Sequence, residues 1–229
     1  MGKDVIIACD FSSKEETLKF LSKFKKRKPF VKIGMELFYA EGPSIVKEIK
    51  KRGHKIFLDL KLHDIPNTVN KAMSVLSKLK VDMVNCHASG TKAMMKAAKD
   101  GLKKSKTLLI AVTQLTSTDQ KAMNNDLLIK EDINKVVIHY AKNAKASGLD
   151  GVVCSPLEAK KVHQACGKNF ITVTPGVRFK ENAKGDQKRV MAPSEAKKIG
   201  SDYIVVGRPI TEAKDPVKAY TRCLKEFIG

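Results

Sequence analysis

HKIFLDLKLHDIPNTVNKAMSVLSKLKVDMVNCHA, residues 54–88, holds two apolar β-like runs, 54–61 and 81–88, with a helical pattern between them that opens at Pro66. Proline is favoured in the first turn of a helix, where its missing N–H has no partner to lose. The unit therefore reads strand, helix, strand. Working outward, similar runs recur at 4–9 (DVIIAC), 30–34 (FVKIG), 107–113 (TLLIAVT), 150–155 (DGVVCS), 170–175 (FITVTP) and 202–207 (DYIVVG). Several are apolar almost throughout, as strands of a parallel sheet covered on both faces should be. Helical patterns separate them, the clearest at 130–146, where Ile133, Val136, Val137, Tyr140, Ala141 and Ala144 recur at helical spacing.

Local chemistry marks the helix ends. Ser13 with Glu16, and Ser155 with Glu158 around Pro156, fit capping boxes; Pro216 follows Asp215 as Pro66 follows Asp64-Ile65. Gly53, Gly101 and Gly148 lie near helix C-termini, where a left-handed residue is expected. Strand and helix alternate eight times, about 29 residues per repeat, the length a βα unit needs. No Pro/Gly/Ser-rich linker interrupts the series. The expectation is one domain over residues 1–229, a (β/α)8 TIM barrel, with a doubly wound open sheet as the other topology such alternation allows.

Composition narrows the class further. With 42% hydrophobic and 30% charged residues, the chain is neither disordered nor fibrous. No apolar run approaches the roughly 20 residues that span a bilayer, and MGKDVIIACD lacks a cleavage site, so no membrane association and a cytoplasmic location are expected. Five cysteines, an odd number without a C-x-x-C pair, read as reduced core residues. The net charge of +20 invites a polyanion, yet only six of the 44 cations are Arg, Trp is absent, and the lysines are scattered. A solvated Lys-rich surface is expected, with no nucleic-acid partner.

A (β/α)8 barrel carries its active site at the C-terminal ends of its strands. Those ends hold Asp10, Lys32, Asp59 with Lys61, His87, the segment 113–117, Ser155, the segment 174–178, and Gly207 with Arg208. Residues two apart in a strand share a face, so Asp59 and Lys61 project together while Leu60 packs away. With Asp10, Lys32 and Asp64 they form an alternating set of two lysines and up to three aspartates, each sign holding the other ionised. An ion-pair network that merely closes the barrel is the bland alternative. After the seventh and eighth runs, Gly176 with Arg178, and Gly207 with Arg208 before Pro209, supply open backbone and guanidinium groups suited to a phosphate; Gln187 lies on a polar loop between them.

The segment FLDLKLHDIPNTV (57–69) resembles the D-x-K-x-x-D-I-P-x-T signature of the orotidine 5′-phosphate decarboxylase family. Asp10 in IIACD, Lys32 in VKIG, Thr116 in VTQLTS, Arg178 in TPGVRF, Gln187 in GDQKRV, and Gly207 with Arg208 in VVGRP also match that family in order and spacing, over essentially the whole chain. The likeness is to its compact monofunctional bacterial form. It implies cofactor-independent decarboxylation of orotidine 5′-monophosphate to uridine 5′-monophosphate, the last step of de novo UMP synthesis, with no metal.

Lys61 would act as cation and proton donor to C6, oriented by Asp59 and Asp64. Asp10 and Lys32 would hold the ribose and Thr116 the pyrimidine. Arg178, Gln187, Gly207 and Arg208 would take the phosphate, under a lid formed by the segment 178–189. Asp64, Ile65 and Thr68 would come from a second subunit, so the resemblance also implies a homodimer with shared sites.

Two other functions fit some of the same residues. His63 and His87 with Asp10, Asp59 and Asp64 would suit a metal-dependent keto-sugar-phosphate decarboxylase or epimerase, although two nearby lysines would compete with the metal. A basic barrel that binds nucleic acid as a scaffold is the non-enzymatic alternative.

Overall fold

The computed structural model describes residues 3–179 and 191–229. Eight parallel strands close into a barrel in sequence order: β1 (Asp4–Ala8), β2 (Phe30–Ile33), β3 (Ile56–Leu62), β4 (Met83–His87), β5 (Leu108–Val112), β6 (Gly151–Val153), β7 (Ile171–Thr174) and β8 (Tyr203–Val206), with β8 pairing back onto β1. Every β-like run of the sequence became a strand, and the open-sheet alternative is excluded by the closure. No helix among the described residues is long and apolar enough to cross a membrane.

Period-two alternation sorts the side chains into two cores. One face of the strands, with Ile7, Val31, Leu58, Leu60, Val84 and Ala111, packs against the surrounding helices. The other face fills the barrel with Ile6, Ala8, Phe30, Phe57, Met83, Ile110, Ile171, Val173, Tyr203 and Val205. Followed two residues at a time toward their C-terminal ends, the inward positions turn from apolar to polar: Phe30 to Lys32, Phe57 to Asp59, Met83 to Asn85 to His87. The apolar plug is thus the floor of whatever the charged layer does.

The N-terminal end of the barrel is pinned by a device repeated every two βα units. Asp82, just before β4, accepts the Ile56 N–H at 2.8 Å and pairs with Lys50 at 2.8 Å on α3 (Pro43–Lys51). Asp150 does the same before β6 with the Leu109 N–H and Lys99, both at 2.8 Å, the latter on α5 (Thr91–Gly101). Asp202 repeats it before β8 with the Thr172 N–H at 2.8 Å and His163 at 3.1 Å, on α8 (Pro156–Cys166). Each carboxylate satisfies the amide of the first or second residue of the strand before its own.

Helix-end chemistry largely follows the sequence. Ser155 and Glu158 form a complete capping box, which accounts for Ser155 structurally, while Ser13 accepts from the Glu16 N–H at the start of α1 (Lys14–Ser22). Gly53 and Gly148 have φ of 85° and 80°, as expected of left-handed caps. Gly101 does not. It closes α5 where the backbone of α4 (Pro66–Ser77) crosses it, and a Cβ there would lie 2.4 Å from the Asn70 carbonyl oxygen. Close helix contact, not backbone conformation, requires glycine at 101.

One strand breaks the regular ladder. Leu58 pairs with Val84, but the next register partner of Cys86 is Leu62, so β3 carries a bulge at its C-terminal end. Within it Lys61 adopts φ 52°, a left-handed conformation that costs a non-glycine residue about 1–2 kcal/mol.

Asp150→Ala removes the acceptor for the Leu109 amide and the partner of Lys99. A loss of about 1–3 kcal/mol in unfolding free energy is expected, read from the urea midpoint at unchanged m-value.

Candidate active site

At the C-terminal mouth of the barrel, four charges line up with alternating sign. Lys32 Nζ, at the end of β2, lies 2.8 Å from Asp10 Oδ1 and 3.4 Å from Asp59 Oδ2. Lys61 Nζ lies 2.8 Å from Asp59 Oδ1. Asp59 is the buried centre of the row, at 7% exposure. Lys61 and Asp10 form its open ends, with side chains 26% and 59% exposed against 12% for Lys32. Gly34 closes off any side chain at the base of this row: a Cβ would come within 3.1 Å of Asp10 Oδ1 and 3.2 Å of Lys32 Nζ.

Burial works against both central charges, and the neighbours outweigh it. Desolvation is the largest effect on Lys32, but Asp59 and Asp10 together hold its ammonium above the ordinary lysine value. Desolvation likewise opposes the Asp59 carboxylate, yet Lys32, Lys61 and a hydrogen bond from Asn85 keep it below the ordinary aspartate value. Lys32 and Asp59 are therefore both ionised through neutral pH.

Next to it, His87 is pushed below the usual histidine value by burial, then by His63 and Lys61. The two imidazoles lie with centroids 5.5 Å apart. Among the described residues no three His, Cys, Asp or Glu side chains group as metal ligands, and the carboxylates of Asp10 and Asp59 are already engaged by ammonium groups.

The row borders a cavity of about 690 Å³. Its floor is the apolar plug, through Ala8, Phe57, Val112, Val153, Val173 and Val205. Asp10, Lys32, Asp59 and Lys61 form one wall, and Gln114, Leu115 and Thr116 follow β5. Pro175, Gly176, Arg178, Gly207, Arg208 and Pro209 lie around the rest of the rim, from the loops after β7 and β8.

Gly176 is left-handed at φ 76°, and Arg208 opens α10 (Arg208–Thr211). The cavity thus pairs an apolar floor suited to a planar ring with separate cationic groups on the wall and at the phosphate loops. Gln187 and most of the expected lid lie outside the described residues. The described backbone on either side of that segment is joined by Arg178 N to Met191 O at 3.0 Å and Met191 N to Gly176 O at 3.2 Å.

Asp64, Ile65 and Thr68 are brought elsewhere. All three are exposed, none lines the cavity of its own chain, and Asp64 accepts from the Ile65 N–H at 2.6 Å. Within one chain the row is therefore Asp10, Lys32, Asp59 and Lys61, without the third aspartate that sequence spacing allowed.

Sequence reasoning missed two residues here. Gly34 was part of a β-like run with no reason to single it out. Asn85 donates to Asp59 Oδ1 at 2.7 Å and accepts the Lys61 backbone N–H at 2.8 Å. The available signal was a lone amide inside the apolar run MVNC, two residues before His87 and so on the same inward face.

A model of the Orotidine 5′-phosphate decarboxylase / HUMPS family matches residues 3–223. A protein of Bacillus cytotoxicus named orotidine 5′-phosphate decarboxylase is 52% identical over 235 residues, covering 100% of this chain and 99% of its own length. One of the same name from Bacillus mycoides is 51% identical with the same coverage. Among solved structures, orotidine 5′-phosphate decarboxylase of Lactobacillus acidophilus superposes with a TM-score of 0.90 at 44% identity, covering 99% of this chain and 100% of that one. A conserved protein from Geobacillus kaustophilus, described as uncharacterized, superposes at 0.87 with 46% identity, covering 97% and 99%.

The shifted charges predict the pH dependence of stability. Asp59 contributes stability that is complete above the ordinary value of 3.8 and is lost as pH falls through its lower folded value. Lys32 contributes below 10.5 and loses its part as pH rises through its higher folded value. Asp59→Asn should cost about 1–3 kcal/mol at neutral pH, because Lys61 loses its carboxylate partner and Lys32 one of its two. It should also make the acid limb below pH 4 shallower than in the unsubstituted protein, read by urea unfolding across pH.

Proposed function

The chain belongs to the orotidine 5′-phosphate decarboxylase / HUMPS family and decarboxylates orotidine 5′-monophosphate to uridine 5′-monophosphate in pyrimidine synthesis, and we propose that Lys61 is the proton donor at the reacting carbon. The observation that carries this proposal is the Lys61 ammonium at the open end of the charge row, on the cavity wall and 2.8 Å from Asp59.

When the bond from C6 to the carboxylate breaks, the electron pair stays at C6 in the plane of the ring. The ring π system cannot take it up. A fixed cation beside C6 stabilises that charge as it forms, and the same Nζ then gives C6 a proton, leaving a neutral amine that water reprotonates. Asp59 holds the ammonium in place, and its own charge is balanced on the other side by Lys32.

The rest of the nucleotide fits the remaining wall. Asp10 and Lys32 hold the ribose hydroxyls, Thr116 lies beside the pyrimidine over the valine floor, and Arg178, Gln187, Gly207 and Arg208 bind the phosphate. Binding energy gathered at the phosphate, away from C6, can then be used to lower the barrier at C6. Asp64, Ile65 and Thr68 act on the site of a second copy, making the working unit a homodimer. Their exposure at the same end of the barrel supports this, with the apolar Ile65 66% exposed. Five free, buried cysteines fit a reducing compartment, the cytoplasm.

Loss of the orotate absorbance on adding protein to orotidine 5′-monophosphate follows the reaction directly. Lys61→Ala and Asp64→Ala should each be inactive. A 1:1 mixture allowed to exchange subunits should recover about a quarter of normal activity, since half the dimers then carry one intact site. A mixture that stays inactive would argue against sharing, and turnover by Lys61→Ala alone would remove Lys61 from its role. Arg208→Ala should raise KM for the nucleotide by about 10–100-fold, the worth of one charge-assisted contact.

A further inference from the structure

We propose that Asn85 is a positioning residue for Lys61, bracing the backbone that aims the ammonium at the reacting carbon; this rests on the role of Lys61 given above. In the bulge of β3 the ladder to β4 lapses between Leu58 and Leu62, so the Lys61 N–H has no strand carbonyl to meet. The Asn85 side chain takes that place. Its Oδ1 accepts the Lys61 N–H at 2.8 Å, and its Nδ2 donates to Asp59 Oδ1 at 2.7 Å.

The side chain is 1% exposed, so water does not share either bond. One amide thereby spans two positions of β3 that are two residues apart. It fixes the backbone of the proton donor at φ 52° and, at the same time, the carboxylate that grips the donor's Nζ.

Only a group that accepts on one side and donates on the other can do this. Leucine matches the size of asparagine and offers neither function. Aspartate accepts from the Lys61 N–H, but its second oxygen would face Asp59 Oδ1 at hydrogen-bond distance, where two carboxylates can coexist only by sharing a proton. The charged and titratable groups around that pair are Lys61 on β3, Lys32 on β2, Asp10 after β1, His87 on β4, and His63 beyond β3. The brace should therefore be restored in Asn85→Asp when the pair holds a proton, and broken when it does not.

The test is steady-state decarboxylation by Asn85→Leu and Asn85→Asp across pH, with Lys61→Ala in parallel. Asn85→Leu should lose about 10–100-fold in kcat with KM within about threefold of normal, because substrate contacts are untouched. The kcat of Asn85→Asp relative to the unsubstituted enzyme should climb as pH falls, while that of Asn85→Leu should not. A kcat within twofold of normal in Asn85→Leu, a change confined to KM, or a pH profile of Asn85→Asp parallel to the unsubstituted enzyme would overturn the proposal. If Asn85→Leu does not fold, Asn85→Asp carries the test alone.

Near-normal turnover in Lys61→Ala would instead remove Lys61 as donor. The brace is then judged by a crystal structure of Asn85→Leu, or of Asn85→Asp at alkaline pH should the former not fold. Lys61 must leave the left-handed region there, and a torsion that stays near its present value would overturn it.

Discussion

Asp59 is a carboxylate almost sealed from water, and its ionisation is what the charged mouth of this barrel depends on. An unpaired charge in that position would simply protonate. It remains an anion because Lys32 and Lys61 lie on either side and Asn85 donates a third contact. Lys32 in turn is held charged by Asp59 and Asp10, and Lys61 is paired with Asp59, so removing one member unbalances the rest. A row of this kind is costly to assemble, and the apolar plug below it, from Phe30 and Phe57 to Tyr203 and Val205, contributes the burial that offsets the cost.

The two ends of the barrel handle charge differently. At the N-terminal end, Asp82, Asp150 and Asp202 each engage an amide near the start of the neighbouring strand and a Lys or His side chain from the helix before that strand. These groups satisfy one another and fix strand register. At the C-terminal end, the charges are satisfied only as a row whose last member, Lys61, opens onto the cavity. The strain of a left-handed lysine is stored there too, on the wall of the cavity.

Much of this was legible in the chain. Continuous apolar runs such as 107–113 and 202–207, separated by helical patterns at regular intervals, identify a parallel sheet because only strands covered on both faces can be so uniformly apolar. The polar residues closing several runs fall on the cavity wall, since alternation carries Lys32 and Asp59 onto the inward face above Phe30 and Phe57. Strand alternation read onward to Lys61 predicts its direction but not its backbone, because a bulge depends on how β4 meets β3 and leaves no local mark. Gly101 misled for a similar reason: a helix-ending glycine and a glycine under a crossing backbone look alike in one dimension.

By itself, then, the sequence determined the strand–helix alternation and which residues stand at the strand ends, consequences of periodicity and short-range sterics, while the pairing of β8 with β1 decided closure over an open sheet. Only the tertiary structure decided the order of the charge row, the absence of Asp64 from its own chain's cavity, and the part played by Asn85. Those depend on distances between residues distant in sequence, such as Lys32 to Asp10 and Asn85 to Asp59, which barrel closure and strand register set and local preference cannot.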